Sequence, residues 1–401
     1  MHLGFYPTMI SSFSDIIMNL DEEFISHSFA KSDRIYLNNA SSSLIPLQTM
    51  KAMADFTIRY NVLGPDSLDF ATLLAEKSVA LRQAISKLVK CRPEEVVITQ
   101  STTEGINSVA AGMSFQKNSN IIIRGTTHEH HSNYYPWLRL ANRVEIRSLA
   151  TDQNGFFEMS ELERIVDKNT GLVALSHGLY NTGTILPVEQ VGRILQEKNI
   201  PYFLDAAQTV GCIGDYDFAK TGADFVVFNG YKWLCGPMGI GVFVCKKESA
   251  SLLEPLQIAG ESAMLYDTDK IAYKDLPDRF QGGFRNFVAI AGLENSISLL
   301  LRLGLDNIRK KITDLADLLR EELAKIPGVT LYGPEDKEKR TSIISFSLDK
   351  KQPQQVVEYL ERQRIVLAVR EISDKKIIRA SPHFFNTRAE ILATVEAIKN
   401  L

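Results

Sequence analysis

Cysteine is scarce: only Cys91, Cys212, Cys235 and Cys245 occur in 401 residues. None shows metal-type CxxC spacing, and four are too few to staple a chain of this length, so a disulfide scaffold is excluded and a reducing, cytoplasmic setting is expected. Nor is there a basic block. Lys and Arg number 45 against 48 Asp and Glu, a net charge of −3, and nothing supplies the row of phosphate contacts that a nucleic acid requires. No segment approaches the ~18 apolar residues of a membrane span. Met1 to Leu20 lacks a charged stretch followed by an unbroken apolar run, so the chain reads as soluble and unexported. Internal repeats and low-complexity tracts are also missing. What remains is 45% hydrophobic and 23% charged, the composition of a folded protein able to bury a full core. The length suggests a large domain and a smaller one.

From about Glu94, short β-branched runs alternate with helical patterns: VVIT at 96–99, NIII at 120–123, LVAL at 172–175, YFL at 202–204 and FVVF at 225–228. Such alternation predicts βαβ units and an α/β fold with a mostly parallel central sheet. The runs are apolar throughout, as strands covered on both faces are. After Asn286 the texture changes. Helical patterns over Phe287 to Leu303 and Asn307 to Ile326 lead to SIISFSL at 342–348, VLAV at 366–369 and KIIR at 376–379, which predicts a smaller α+β domain joined by a long helix. Thr387 is a candidate N-cap for a closing helix. The expected division is a segment over 1–47 packing with the small domain, a large domain over 48–286, and the linking helix with the small domain over 287–401.

The tract Y-F-L-D-A-A-Q ends a buried strand at Asp205, and ligands of open α/β sheets bind at that edge. Twenty-seven residues on, FVVF runs into Asn229-Gly230-Tyr231-Lys232-Trp233, followed by the glycine-rich G-P-M-G-I-G. Two strand tips thus offer a carboxylate and an amine. Pyridoxal 5′-phosphate chemistry needs that pair: a lysine that binds the cofactor and moves a proton at Cα, and an acid that keeps the pyridine nitrogen protonated. Apolar Trp233 and Leu234 beside Lys232 would favour the neutral amine. An Asp and a Lys alone also suit a solvated sheet edge. Gln100-Ser101-Thr102-Thr103-Glu104-Gly105, between VVIT and a helix expected over Ile106 to Met113, adds hydroxyls and free N–H groups at a helix start. This is a natural anion site or a simple N-cap.

Thr127-His128-Glu129-His130-His131 reads as a polar loop. Its metal reading would pair His128 and His130 on one face of an extended segment, but no partner cluster completes a site, so no metal is expected.

With these pieces assembled, the chain resembles the class V aminotransferase family of fold-type I pyridoxal-phosphate enzymes, in particular the branch of cysteine desulfurases, selenocysteine lyases and isopenicillin-N-epimerase-like proteins. The motifs are Y-L-N-N-A (36–40), T-T-E-G-I-N (102–107), E-H-H-S-N (129–133), Y-N-T-G-T (180–184), D-A-A-Q (205–208), Y-K-W-L-C-G-P-M-G-I-G (231–241) and I-R-A-S-P-H-F-F-N-T (378–387). The resemblance implies that Lys232 forms the Schiff base, Asp205 pairs with the pyridine nitrogen, Gln208 reaches the ring hydroxyl and His130 stacks on the ring. It further implies that Thr102 and Thr103 hold phosphate, with Asn229 and Tyr231 beside the cofactor. Asn181 would lie near ring and substrate, Asn38 and Ala40 in the substrate wall, and Arg379 on the substrate α-carboxylate. A homodimer is implied, with 283–286 lending a phosphate contact to the other subunit.

Three departures stand out. The desulfurase Ser-Gly-His-Lys reads Asn229-Gly230-Tyr231-Lys232. A Gly-Thr-Pro-Asn segment reads Gly283-Phe284-Arg285-Asn286, where Phe284 and Arg285 replace the usual phosphate contact. Finally, 369–375 lacks the nucleophilic cysteine that desulfurases place before the arginine, leaving no obvious persulfide acceptor; Cys235 reads as a packed small residue. The expected reaction is C–S cleavage of a cysteine-like amino acid by β-elimination. Transamination or epimerisation is the alternative, and a non-catalytic binding protein or a metal hydrolase the less favoured ones.

Overall fold

The computed structural model describes Leu20 and residues 22–125 and 127–401. Most of the segment read above for an export signal therefore lies outside the described residues. The large sheet has seven strands: β1 (Val96–Thr99), β2 (Asn120–Arg124), β3 (Glu145–Leu149), β4 (Thr170–Ser176), β5 (Tyr202–Asp205), β6 (Phe225–Asn229) and β7 (Gly241–Cys245). Their spatial order is β1-β7-β6-β5-β4-β2-β3. Pairings from β3 through β6 are parallel, and β7 runs antiparallel to both of its neighbours.

The apolar runs work as expected of a doubly covered sheet. Val173 and Leu175 enter one core and Leu172 and Ala174 the other; Leu204 and Phe203 divide in the same way. Period-two alternation thus feeds two helical layers from one uninterrupted apolar sequence. Two strands carried weaker signals. Edge strand β3, EIRSL, is largely solvent-facing, and β7 lies immediately behind the glycine-rich stretch.

The smaller sheet is antiparallel, with β8 (Val329–Tyr332), β9 (Ile344–Leu348), β10 (Ala368–Ile372) and β11 (Lys375–Ala380) in the order β8-β9-β11-β10. Thr387 caps Arg388–Lys399, with Glu390 completing a reciprocal capping box. The two helical patterns read over 287–303 and 307–326 stand as the helices Phe287–Leu303 and Leu305–Ala324, which meet at an 82° bend. Gly304, at φ +81°, ends the first and begins the second, a conformation that a side chain would strain. No single helix among the described residues is long and apolar enough to cross a membrane.

Near the N-terminus, Ile35–Tyr36 pairs in parallel with Ile365–Val366, and Leu37 enters the core of the small sheet. The bridge from Asn38 to Ser381 continues that contact. These few hydrogen bonds tie the segment over 35–40 to the strands of the small domain.

Candidate active site

Asp205 closes β5 and Asn229 closes β6, so adjacent parallel strands deliver both to the same sheet edge. Asn229 Oδ1 accepts the Lys232 N–H (3.1 Å), while Gly236 N–H donates to Gly230 O (2.7 Å). The turn is thereby closed tightly, with Lys232 facing a cavity. Its wall includes Thr102, Thr103, His130, Asp205, Gln208 and Tyr231. Burial lowers the Lys232 amine to about 8, although Asp205 pulls the other way. Burial likewise raises Asp205, opposed by the Ala207 N–H and by Lys232. For both groups, loss of hydration outweighs mutual attraction.

The helix at the cavity's other side spans Thr102–Gly112. It starts four residues before the expected Ile106, so Thr102 and Thr103 sit in its first turn. Ser101 Oγ caps it by accepting the Glu104 N–H (3.2 Å), and Glu104 Oε2 returns to the Gln100 N–H (2.6 Å). The first-turn N–H groups of a helix lack intrahelical acceptors and carry partial positive charge. A Cβ on Gly241 would meet the Ser101 carbonyl carbon at 2.6 Å; only glycine lets β7 pass this close to the helix start. Asn229 Nδ2 donates to Thr102 Oγ1 (3.3 Å), tying the lysine turn to that end.

The histidine tract divides between two environments. His130 lines the cavity, its ring edge-on to Tyr180 at 5.1 Å, and burial, followed by Lys232, lowers it to about 4. His128 turns away and donates from Nδ1 to Asn181 Oδ1 (3.2 Å). Among the described residues no His, Cys, Asp or Glu cluster could hold a metal.

Several expected contacts are already engaged. Asn181 is buried outside the cavity wall, its Nδ2 donating to Thr127 O and Glu371 O. Gln208 lines the cavity, but its amide spans from Ala40 O (3.0 Å) to Trp233 Nε1–H (2.9 Å). Arg379 is 1% exposed. Its guanidinium donates to Tyr180 O (2.7 Å), Asn38 Oδ1 (3.1 Å) and Ser41 Oγ (2.6 Å).

Arg370, which the motifs did not single out, donates to the same Ser41 Oγ. Among the described residues neither guanidinium has a carboxylate in ion-pair range. Two like charges, Arg379 buried and Arg370 half-buried, are costly without an anion, and a ligand carboxylate would relieve that cost. Phe284 is 87% exposed, whereas Arg285 is turned onto its own chain, 3.5 Å from Glu104 and bonded to Phe280 O. Glu129, Ser132, Ser176 and Tyr180 also line the cavity without having been proposed from the sequence. Glu129 alone had a visible hint, an acid set between two histidines.

The segment before Arg379 explains the missing cysteine. Ile372 pairs directly with Lys375, leaving a two-residue turn, Ser373-Asp374, with Ser373 at φ +51°. A tight hairpin stands where a mobile thiol-bearing loop would need room. Cys235 is fully buried, 3.5 Å from both Ser43 Oγ and His383 Nε2, and burial pushes its thiol up to about 12. It does not line the cavity.

The residues fit pyridoxal 5′-phosphate. Among the described residues the Lys232 amine has no hydrogen-bond or ion-pair partner, Asp205 stands on the neighbouring strand tip, and a capped helix start closes the far side of the cavity. Residues 35–393 match the aminotransferase class-V family. The probable cysteine desulfurase of Methanothermobacter thermautotrophicus is 30% identical, covering 92% of this chain and 95% of its own; that of Pyrococcus abyssi is 29% identical, covering 92% and 94%. The apo structure of cysteine desulfurase from Thermococcus onnurineus superposes with a TM-score of 0.88 at 26% identity, over 96% of this chain and 98% of that one. The chain belongs to the aminotransferase class-V family. It is a pyridoxal-phosphate-dependent enzyme.

Proposed function

We propose that the enzyme cleaves the C–S bond of cysteine or cystine by β-elimination and releases sulfur in a small product instead of loading it onto a protein thiol. The observation that carries this reading is the tight 368–380 hairpin together with a cavity wall that contains no cysteine among the described residues. Relatives named cysteine desulfurases support the sulfur substrate.

When bound, the cofactor supplies an electron sink for the pair left as the Cα proton departs. Lys232 would hold the cofactor and then, with its amine near 8, accept the Cα proton and return it to the leaving sulfur. Asp205 would hold the proton on the pyridine nitrogen. Thr102, Thr103 and the helix N–H groups would take the phosphate, with Asn229 and Tyr231 shaping the lysine turn and His130 covering the ring. Gln208 would have to release Ala40 O to reach the ring hydroxyl, and Asn181 would act from behind His128. Arg379, with Arg370 beside it, would bind the substrate α-carboxylate against the wall formed by Asn38 and Ala40. The Cα–H and C–S bonds break, sulfur leaves with its bonding pair, and water hydrolyses the released enamine to pyruvate and ammonium.

Exposed Phe284 and Leu265, 87% and 72% accessible, support a homodimer in which a second copy covers them. The four unpaired cysteines, three of them buried, support a cytoplasmic setting. Incubation with L-cysteine and L-cystine, assayed for pyruvate and sulfide, tests the reaction. Mass spectrometry of the protein completes the test: equimolar pyruvate without protein-bound persulfide is expected, whereas alanine with a persulfide on any cysteine would sink it.

A further inference from the structure

The histidine tract contains one group that the reaction above leaves unused. Glu129 is 2% exposed and lines the cavity. Its Oε1 accepts two hydrogen bonds, from Ser176 Oγ–H (2.5 Å) and from the His130 N–H (2.9 Å). Its Oε2 is buried with no partner among the described residues. Burying a carboxyl this deeply costs several kcal/mol unless its environment has a use for it, and a core position needing only volume would take an apolar residue at lower cost.

We propose that Glu129 is a positioning residue for the cofactor. It clamps the backbone of His130, the residue that would cover the ring, to Ser176 at the tip of β4, and so fixes the ring platform relative to Asp205 at the tip of β5. The topology supports this assignment. β4 and β5 pair in parallel with Ser176 opposite Asp205, so the clamp connects the covering histidine to the strand pair beneath the ring. Without it, the backbone at His130 keeps its Asn133 turn and the Nδ1 contact with Ser132, and the turn's remaining tie to Ser176 is the longer bond donated by Asn133 Nδ2 (3.3 Å), three residues away from the covering ring.

The charged and titratable groups facing Glu129 are Arg124 from β2, Asp205 from β5 and Tyr180 from the loop after β4. Arg124 is fully buried and donates to Gly155 O (2.6 Å), leaving Nε and Nη1 unpartnered among the described residues. Burial raises Glu129 to about 7, with Arg124 opposing and Asp205 reinforcing the rise. The clamp itself does not depend on that titration, because either form of the carboxyl retains an acceptor oxygen.

The inference rests on the pyridoxal-phosphate reading, and the two fail differently. The experiment compares holoenzyme of wild type, Glu129→Gln, Glu129→Ala and Ser176→Ala by circular dichroism in the cofactor's visible band and by cofactor release during dilution into a scavenger. If wild type holds no cofactor, the functional reading falls and takes the clamp with it. If wild type holds cofactor, Glu129→Ala is expected to speed release about tenfold and to reduce the dichroic band, as loss of a hydrogen-bonded clamp should. Glu129→Gln keeps an acceptor oxygen and is expected to restore release to within about threefold of wild type. Ser176→Ala, which leaves Glu129 in place, is expected to fall between. Should Glu129→Ala fail to fold, the Gln and Ser176→Ala variants decide. Release rates and dichroic bands in every folded variant identical to wild type, or a Gln variant as impaired as complete loss of the side chain, would overturn the proposal.

Discussion

At the lysine end of the cavity, Asp205 and the 229–232 turn come from neighbouring strands of one sheet. At the guanidinium end, just outside the cavity wall behind Tyr180, Arg379 meets Asn38 from 341 positions away. The first end follows from local motifs placed by parallel strands whose tips must coincide. The second exists only because Ile35–Tyr36 pairs with Ile365–Val366 and Ser381 N–H closes on Leu37 O. In the proposed reaction the lysine end supplies the chemistry, and the other end selects what is brought to it. Damage to the two should therefore have different kinetic signatures.

The largest effect should come from the lysine end. Lys232→Ala is expected to abolish the borohydride-sensitive visible absorbance and to lower turnover by more than about a thousandfold. Persistence of the band would show that another residue carries the cofactor. At the opposite end, Arg379→Lys should act mainly on KM, raising it about ten- to a hundredfold, because an ammonium cannot reproduce a bidentate guanidinium contact. An equal fall in kcat with unchanged KM would erase the contrast between the two ends.

The next effect concerns pH. Lys232 titrates at about 8, so its amine is neutral above that value. Capture of added pyridoxal phosphate by apoenzyme, followed by stopped-flow absorbance, should accelerate as pH rises through about 8. A lysine with its ordinary value would delay that rise to about 10. Ser41→Ala removes the hydroxyl shared by Arg370 and Arg379, and should raise KM by about threefold with little change in cofactor absorbance. Smallest of all, Thr387→Ala loses an N-cap far from the chemistry. It should cost about 1 kcal/mol in denaturant unfolding and leave kcat unaltered.

The strands carrying Asp205 and Lys232 were legible because a doubly buried parallel strand must be apolar along its whole length. The capped helix start beside the cavity was legible for a related reason, since Ser and Thr at that position satisfy backbone donors. Arg370 was not. Its role depends on being adjacent to Arg379 across the β10–β11 hairpin and on sharing Ser41, and neither relation leaves a local pattern. Glu129 was visible only as part of a histidine-rich tract; an extended segment would have put His128 and His130 on one face, but the turn over 127–129 sends His130 to the cavity and His128 away from it. Gln208, expected at the ring hydroxyl, lines the cavity with its amide held by Ala40 and Trp233, distant segments that no motif connects. The two helices on either side of Gly304 were legible from their periodicity, whereas the 82° bend between them is set by that residue's positive φ and by how the two helices pack.

By itself, then, the sequence determined a doubly covered parallel sheet, the amine and carboxylate at its edge, and the lack of a cysteine before Arg379. These are properties of periodicity, residue chemistry and spacing along a strand. Only the tertiary structure decided that two guanidiniums, one buried and one half-buried, converge on one serine, that a two-residue turn closes the place of a thiol-bearing loop, and that Glu129 links His130 to β4. Each is a relation between segments remote in sequence, set by strand register and by the need to satisfy buried polar groups once the chain has folded.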